Sequence, residues 1–274
     1  MRSTLPPNDE DELVAVSPRH AVRISRDYTP MLRRAPGRDF VVRTIARREA
    51  NGMPLMSADI VIAGHETRER YPAANAYPLH FRKTYYPGRL HGDPREEFER
   101  QREAAALIGV PEPIGHSYDT FRTCLLPGTP YARLSPFGIE PEESNLTRAH
   151  ELPLASAAGL WRLLEAAFEQ LSALHAGGIA HGDAELHNFI VCPSPLEIVL
   201  IDFEVATRRD AIAPERWQAT CDKDLAPLLR EAVLLQSSLG PQPGALGQLA
   251  ARRIDTLFKN PDRFRLELER MTGA

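Results

Sequence analysis

The chain has 274 residues, 43% of them apolar and 26% charged, with a formal net charge of −4. That is the composition of a globular chain long enough to bury a sizeable core, and it excludes wholesale disorder, collagen and a disulfide scaffold. No run approaches the roughly 18 apolar residues of a spanning helix, and the polar, acidic start predicts neither a leader peptide nor an anchor.

Residues 1–38 mix prolines, acids and arginines without a sustained period and are expected to form a partly ordered N-terminal extension. From Leu13 to Ala50 nine arginines face three acids, a net +6, so the remainder of the chain is −10. A solvated basic face explains this segment more simply than nucleic acid, which is not an expected partner. Residues 39–126 read as a small mixed lobe. Phe40–Ile45 and Ala58–Ala63 have strand character around an Asn51-Gly52 turn, and Tyr77–Tyr86 alternates Leu79, Phe81 and Lys83 with His80, Arg82 and Thr84. Asp93-Pro94 caps a helix over Arg95–Ile108, and Phe121–Leu126 is a further strand.

Pro127-Gly128-Thr129-Pro130 reads as a linker into a mainly helical lobe over residues 127–274. There the strongest helix, Ala155–His175, carries Leu160, Leu163, Leu164, Ala167, Phe168, Leu171 and Leu174 on one face, and Gly177-Gly178 ends it. Phe189–Val191 and Ile198–Ile201 predict a hairpin, and helices follow from Arg208. Cys124, Cys192 and Cys221 are odd in number and widely spaced, which points to reduced, buried thiols in a cytoplasmic protein. Periodicity thus predicts an α+β chain of two lobes.

The chemistry concentrates around the predicted hairpin. Before it lie His181, Gly182, Asp183, His187 and Asn188, and Asp202 ends an aliphatic run just after it. Two carboxylates and an amide oxygen are hard donors of the kind that suit Mg²⁺, and phosphoryl transfer needs such a metal, a positioned hydroxyl and a cation on the phosphates. His175, His181 and His187 share no ligand spacing with Cys192, so no transition-metal site is expected.

His181-Gly182-Asp183-Ala184-Glu185-Leu186-His187-Asn188, followed by Leu200-Ile201-Asp202-Phe203-Glu204, resembles the catalytic loop and metal-binding segment of the protein-kinase-like superfamily. The variant is most similar to the aminoglycoside, choline and lipopolysaccharide kinases and to compact atypical, RIO-like kinases. The resemblance implies a small antiparallel-sheet N-lobe with one helix and a mainly helical C-lobe. It implies an ATP- and Mg²⁺-dependent phosphotransferase in which Asp183 orients or deprotonates the acceptor hydroxyl, Asn188 and Asp202 hold Mg²⁺, and His181 supports the loop. By the same resemblance Lys83 clamps the phosphates and Glu103 holds Lys83, with Glu99 one turn earlier as its rival. Cys124–Gly128 would receive adenine, and Asp224 would brace the catalytic loop.

Lysine is rare in this chain, three against 30 arginines, so its use at position 83 favours a compact ammonium there. The acceptor would be a hydroxyl of a small molecule, sugar or glycolipid; an atypical serine/threonine protein kinase and a pseudokinase or nucleotide-binding regulator are the alternatives. No Gly-x-Gly-x-x-Gly precedes Lys83, so phosphate cover must come from another turn. Ala213-Pro214-Glu215 follows Asp202 too closely to end a regulated activation segment, and Glu204 in place of glycine predicts a constitutively assembled site.

Overall fold

The structure is a computed structural model that describes residues 11–51, 53–86, 92–135 and 156–258. The smaller lobe opens with β1 (Asp11–Ala15), β2 (Ala21–Ser25) and the short helix α1 (Thr29–Arg33). It continues with β3 (Phe40–Ala50), β4 (Met53–Ile62), the short helices α2 (His65–Arg70) and α3 (Ala73–Ala76), β5 (Leu79–Tyr85), α4 (Pro94–Ala104), β6 (Pro113–His116) and β7 (Thr120–Cys124). The larger lobe comprises β8 (Thr129–Pro130), α5 (Tyr131–Leu134), α6 (Ala157–Ala176), β9 (Ile179–Ala180), β10 (Phe189–Pro193), β11 (Leu196–Leu200), β12 (Thr207–Arg208), α7 (Pro214–Leu239) and α8 (Gly244–Phe258).

The smaller lobe is built on one antiparallel sheet in the order β3-β4-β5-β7-β6. β5 is its third strand, flanked by β4 through Ala58↔Lys83 and by β7 through Lys83↔Phe121. Alternation along β5 sends Lys83 and Tyr85 to one face and His80 and Arg82 to the other. On that second face Arg82 pairs with Asp59 at 3.0 Å and Arg122 with Asp39 at 2.8 Å. At the β3–β4 turn Asn51 has φ of 53°, the left-handed conformation that Asn tolerates there. Its partner Gly52 lies outside the described residues, as do Pro87 and Gly88 after β5 and the expected helix start at Ala155.

The expectation for residues 1–38 needs correction over the described part. β1 and β2 pair as an antiparallel hairpin, and its Val16 and Ile24 pack with Leu32 on Ile62 and Leu79 of the sheet. Val14, Val16, Val22 and Ile24 alternate with polar or small residues, a strand signal hidden among arginines.

In the larger lobe α6 starts at Ser156, whose hydroxyl accepts from Gly159 N–H at 3.2 Å, and stops at Gly177. Its buried stripe Leu160, Leu164, Leu171 and Leu174 packs with Phe189, Leu200, Phe203 and the α7 residues Leu228 and Leu235. Each such leucine removed from water contributes about 2 kcal/mol. This core fixes the β10–β11 hairpin, and therefore the loops at its two ends, against the rigid α6–α7 pair. Ala213-Pro214-Glu215 simply begins α7, with Pro214 in the first turn and Glu215 exposed. No helix among the described residues is long and apolar enough to cross a membrane.

Candidate active site

Lys83 projects from the middle of β5 into the cleft between the lobes and is buried there. Its Nζ donates to Asp202 Oδ1 at 2.8 Å, to Glu204 Oε2 at 2.6 Å and to Glu97 Oε1 at 3.3 Å. Lys83 and Asp202, 119 residues apart in sequence, therefore meet directly. One ammonium faces three carboxylates, and the surplus of negative charge is suited to a further cation. Burial pulls the Lys83 ammonium down, but Glu97, Asp202 and Glu204 outweigh it and hold the group well above its ordinary value. Burial pushes Glu97 up to about 7 against the pull of Lys83. Burial would also raise Asp202, yet the charge and hydrogen bond of Lys83 bring it below the usual carboxylate range.

The expected partner of Lys83 is corrected here. Glu97, not Glu103 or Glu99, reaches the ammonium. The buried face of α4 is Pro94, Glu97, Gln101 and Ala104, spaced at helical period, and Gln101 Nε2 secures it by donating to Pro111 O at 2.6 Å and Thr123 Oγ1 at 2.9 Å. Glu103 lies six residues beyond Glu97, about 240° around the helix at 3.6 residues per turn. It pairs instead with Arg208 of β12, and Glu99 pairs with Arg102 at 2.5 Å. The Gln101 and Ala104 positions of α4 were the sequence signal for its inner face, and Glu97 shares it. The hydroxyl of Tyr85, two residues beyond Lys83 on the same face of β5, donates to the second oxygen of Glu97.

The loop after β9 is built around a buried acid. Asp224 of α7 accepts from the N–H groups of His181 at 2.7 Å and Gly182 at 2.8 Å, and its Oδ2 lies 3.0 Å from His175 Nε2. Gly182 has φ of +84°, and a Cβ there would lie 2.7 Å from Val205 O, so glycine is required at this position. His181 is fully buried. Its Nε2 lies 2.9 Å from Ile201 O and its Nδ1 3.3 Å from the Asp183 N–H, the pattern of a neutral ring donating through Nε2 and accepting at Nδ1. Burial holds its pKa below the ordinary value, consistent with that state. Asn188 donates through Nδ2 to Asp183 O at 2.8 Å and Oδ2 at 3.2 Å, so the acceptor Oδ1 of its amide is not engaged by Asp183.

Asp202 has φ of 68°, a left-handed conformation that short polar side chains tolerate. Phe203 anchors the segment by an edge contact on His181, with ring centroids 4.9 Å apart. Contacts not anticipated from the sequence join the segment to β5 and α4: Glu204 meets Lys83 of β5, its carbonyl accepts from Arg100 Nη1 at 2.5 Å, and Arg208 holds Glu103. Side-chain contacts between residues about a hundred positions apart have no local signature in the sequence.

Residues 146–244 match the profile of the lipopolysaccharide kinase (Kdo/WaaP) family, a stretch that contains the His181–Asn188 loop and Asp202. No curated protein matches the chain. Among solved structures, the Rio2 kinase from Chaetomium thermophilum in its ADP/Mg²⁺-phosphoaspartate complex is 15% identical, with 89% of this chain and 71% of that chain covered and a TM-score of 0.47. A second structure of that kinase gives 15% identity, 89% and 73% coverage and a TM-score of 0.48. The autoinhibited serine kinase domain of titin gives 13%, 79% and 65%, and 0.45. The match over residues 146–244 and the ammonium–carboxylate cluster between the two lobes support a kinase-type phosphotransferase.

Proposed function

We propose that the protein transfers the γ-phosphate of ATP, as its Mg²⁺ complex, to a hydroxyl of a sugar or glycolipid in the cytoplasm. The observation that carries this reading is the direct contact of Lys83 with Asp202, a cation and a carboxylate that would hold phosphate and metal respectively. Lys83, positioned by Glu97, would hold the nucleotide phosphates. Asp202 and the Oδ1 of Asn188 would hold Mg²⁺, which when bound neutralises charge on the phosphates. The donor set fits that ion, being all oxygen and carrying excess negative charge. Asp183, oriented by Asn188, would accept the proton of the attacking hydroxyl, and His181 and Asp224 keep its loop in register. Cys124–Gly128, between β7 and β8, would receive adenine.

Two features favour a compact acceptor. Only 11 residues separate Asp202 from the start of α7 at Pro214, which leaves little chain for a peptide-docking platform. The family matched over the larger lobe is described by a glycolipid substrate. A cytoplasmic setting agrees with the use of ATP and with three buried, unpaired cysteines.

The test incubates the purified chain with γ-labelled ATP and Mg²⁺, alone and with lipopolysaccharide-core sugars or a generic protein acceptor, and locates phosphate by mass spectrometry. Transfer to the glycan that disappears in Asp183→Ala and Asp202→Ala supports the reading. Phosphate on polypeptide alone overturns the acceptor class. Nucleotide binding without any turnover makes the chain a nucleotide-binding regulator instead.

A further inference from the structure

Outside the cleft, among the described residues, one group of metal-ligating side chains brings three ligand atoms within 4.8 Å of one another: His20, Cys192 and Glu197. They come from opposite ends of the fold. His20 sits in the turn between β1 and β2, while Cys192 and Glu197 are directly opposed residues of the β10–β11 ladder. Cross-strand partners place their side chains on the same face, and the β1–β2 turn docks onto that face.

We propose that His20, Cys192 and Glu197 form a divalent transition-metal site of the zinc class that staples the N-terminal hairpin to the larger lobe. Imidazole nitrogen, thiolate sulfur and carboxylate oxygen are the three zinc donors of proteins, and three of them plus a water complete a tetrahedron. His20 Nε2 lies 3.0 Å from Glu197 Oε1, near the roughly 3.3 Å edge that two such ligands span on a tetrahedral ion. His20 is only 6% exposed, and its Nε2 makes no aligned hydrogen bond beyond this ion-pair contact with Glu197, a setting in which a buried polar atom gains from a further partner.

Each nitrogen and oxygen donor is also held from behind. Ser17 Oγ lies 2.9 Å from His20 Nδ1 and accepts from the N–H groups of His20 at 3.0 Å and Arg19 at 3.2 Å. Arg19 Nη1 takes the other oxygen of Glu197 at 2.7 Å, leaving Oε1 for the ion. Such outer contacts orient metal ligands in general. Metal binding displaces the Cys192 thiol proton to solvent, forms the metal–sulfur bond and changes no oxidation state.

The staple has a mechanical consequence. The same hairpin packs through Val16 and Ile24 on Ile62 and Leu79 of the smaller lobe, in a cluster that Leu125 of the interlobe linker also touches. An ion at His20 would couple both lobes behind the linker, independently of the nucleotide site.

The experiment strips the full chain with a chelator, then titrates it with Zn²⁺ by calorimetry and with Co²⁺ by absorption, without nucleotide. The expected result is one equivalent, with a thiolate-to-cobalt charge-transfer band in the parent that is missing in Cys192→Ser. Affinity should fall about a hundredfold in Cys192→Ser and His20→Gln and about tenfold in Ser17→Ala, the range seen for ligand and outer-shell changes. Circular dichroism confirms folding of each variant, and His20→Gln, in a surface turn, provides the test if Cys192→Ser does not fold. Zn²⁺ should raise the unfolding temperature of the parent more than that of His20→Gln. A parent that shows no thiolate band, or variants that bind as tightly as the parent, overturns the proposal.

Discussion

Lys83 shows how a single side chain carries a site. Its three carboxylate partners would be left uncompensated in a buried cleft by Lys83→Met, so that variant should lose about 10²–10³-fold in kcat/KM for ATP, as when one transition-state donor is removed. Steady-state kinetics over ATP concentration check this, and a retained KM with unchanged kcat would remove Lys83 from the chemistry. On the proposed role of Asp183 as the base, Asp183→Asn should lose about 10²–10⁴-fold in kcat with little change in nucleotide affinity. Glu97 makes a separate prediction about stability. It faces Lys83, Tyr85, Asp202 and Glu204, and burial raises it to about 7, against roughly 4.3 in an unfolded chain. Between those values the folded chain holds the extra proton, so this contribution is complete below the unfolded value and is lost as pH rises through 7. The slope is on the order of 1 kcal/mol per pH unit. Urea midpoints of parent and Glu97→Gln between pH 5 and 8 isolate it, since other groups cancel in the difference; a difference independent of pH contradicts the assignment.

At the scale of elements, α4 and α7 act as the two braces of the cleft. α4 offers Glu97 inward to Lys83 and Glu103 outward to Arg208. The inward contact is buried and the outward one half-exposed, so they differ in worth. Glu97→Gln should lower kcat/KM about a hundredfold by loosening Lys83, the cost of a misplacement near 1 Å. Glu103→Gln should cost less than about 1 kcal/mol of stability and leave catalysis within a few-fold, as exposed ion pairs do. The same kinetic assay on both variants decides between these partners. From α7, Asp224 satisfies the buried N–H groups of His181 and Gly182 in the loop after β9. Asp224→Ala leaves both donors unpaired and should cost about 2–3 kcal/mol. Chemical denaturation measures that loss, and a change under 1 kcal/mol would mean that the loop holds itself.

At the scale of the whole molecule, the N-terminal hairpin belongs to the folded body. Val16 is fully buried and Ile62 and Leu79 depend on the hairpin for cover, so deleting residues 1–25 should lower stability by a few kcal/mol, the worth of two or three aliphatic side chains returned to water. An unchanged urea midpoint would show the hairpin to be a passenger. The antiparallel sheet β3-β4-β5-β7-β6 and the β10–β11 hairpin packed on the α6–α7 pair meet at a cleft where Lys83 and Glu97 of one lobe face Asp202 and Glu204 of the other.

Much of this was legible without coordinates. The alternation of β5, the leucine stripe of α6 and the order of Lys83, Asp183, Asn188 and Asp202 are local patterns, and local periods are set by backbone geometry that every residue reports directly. The hairpin was missed because its four apolar residues sit among arginines, and the partner of Lys83 was misassigned because charge alone does not say which side of α4 faces inward. That choice is made by packing: Gln101 and Ala104 fit against β7 and the larger lobe, and burying them turns Glu97 inward and Glu103 out. Residue types and their order are written along the chain, whereas which charges become neighbours is decided only when apolar faces close and bring distant segments together.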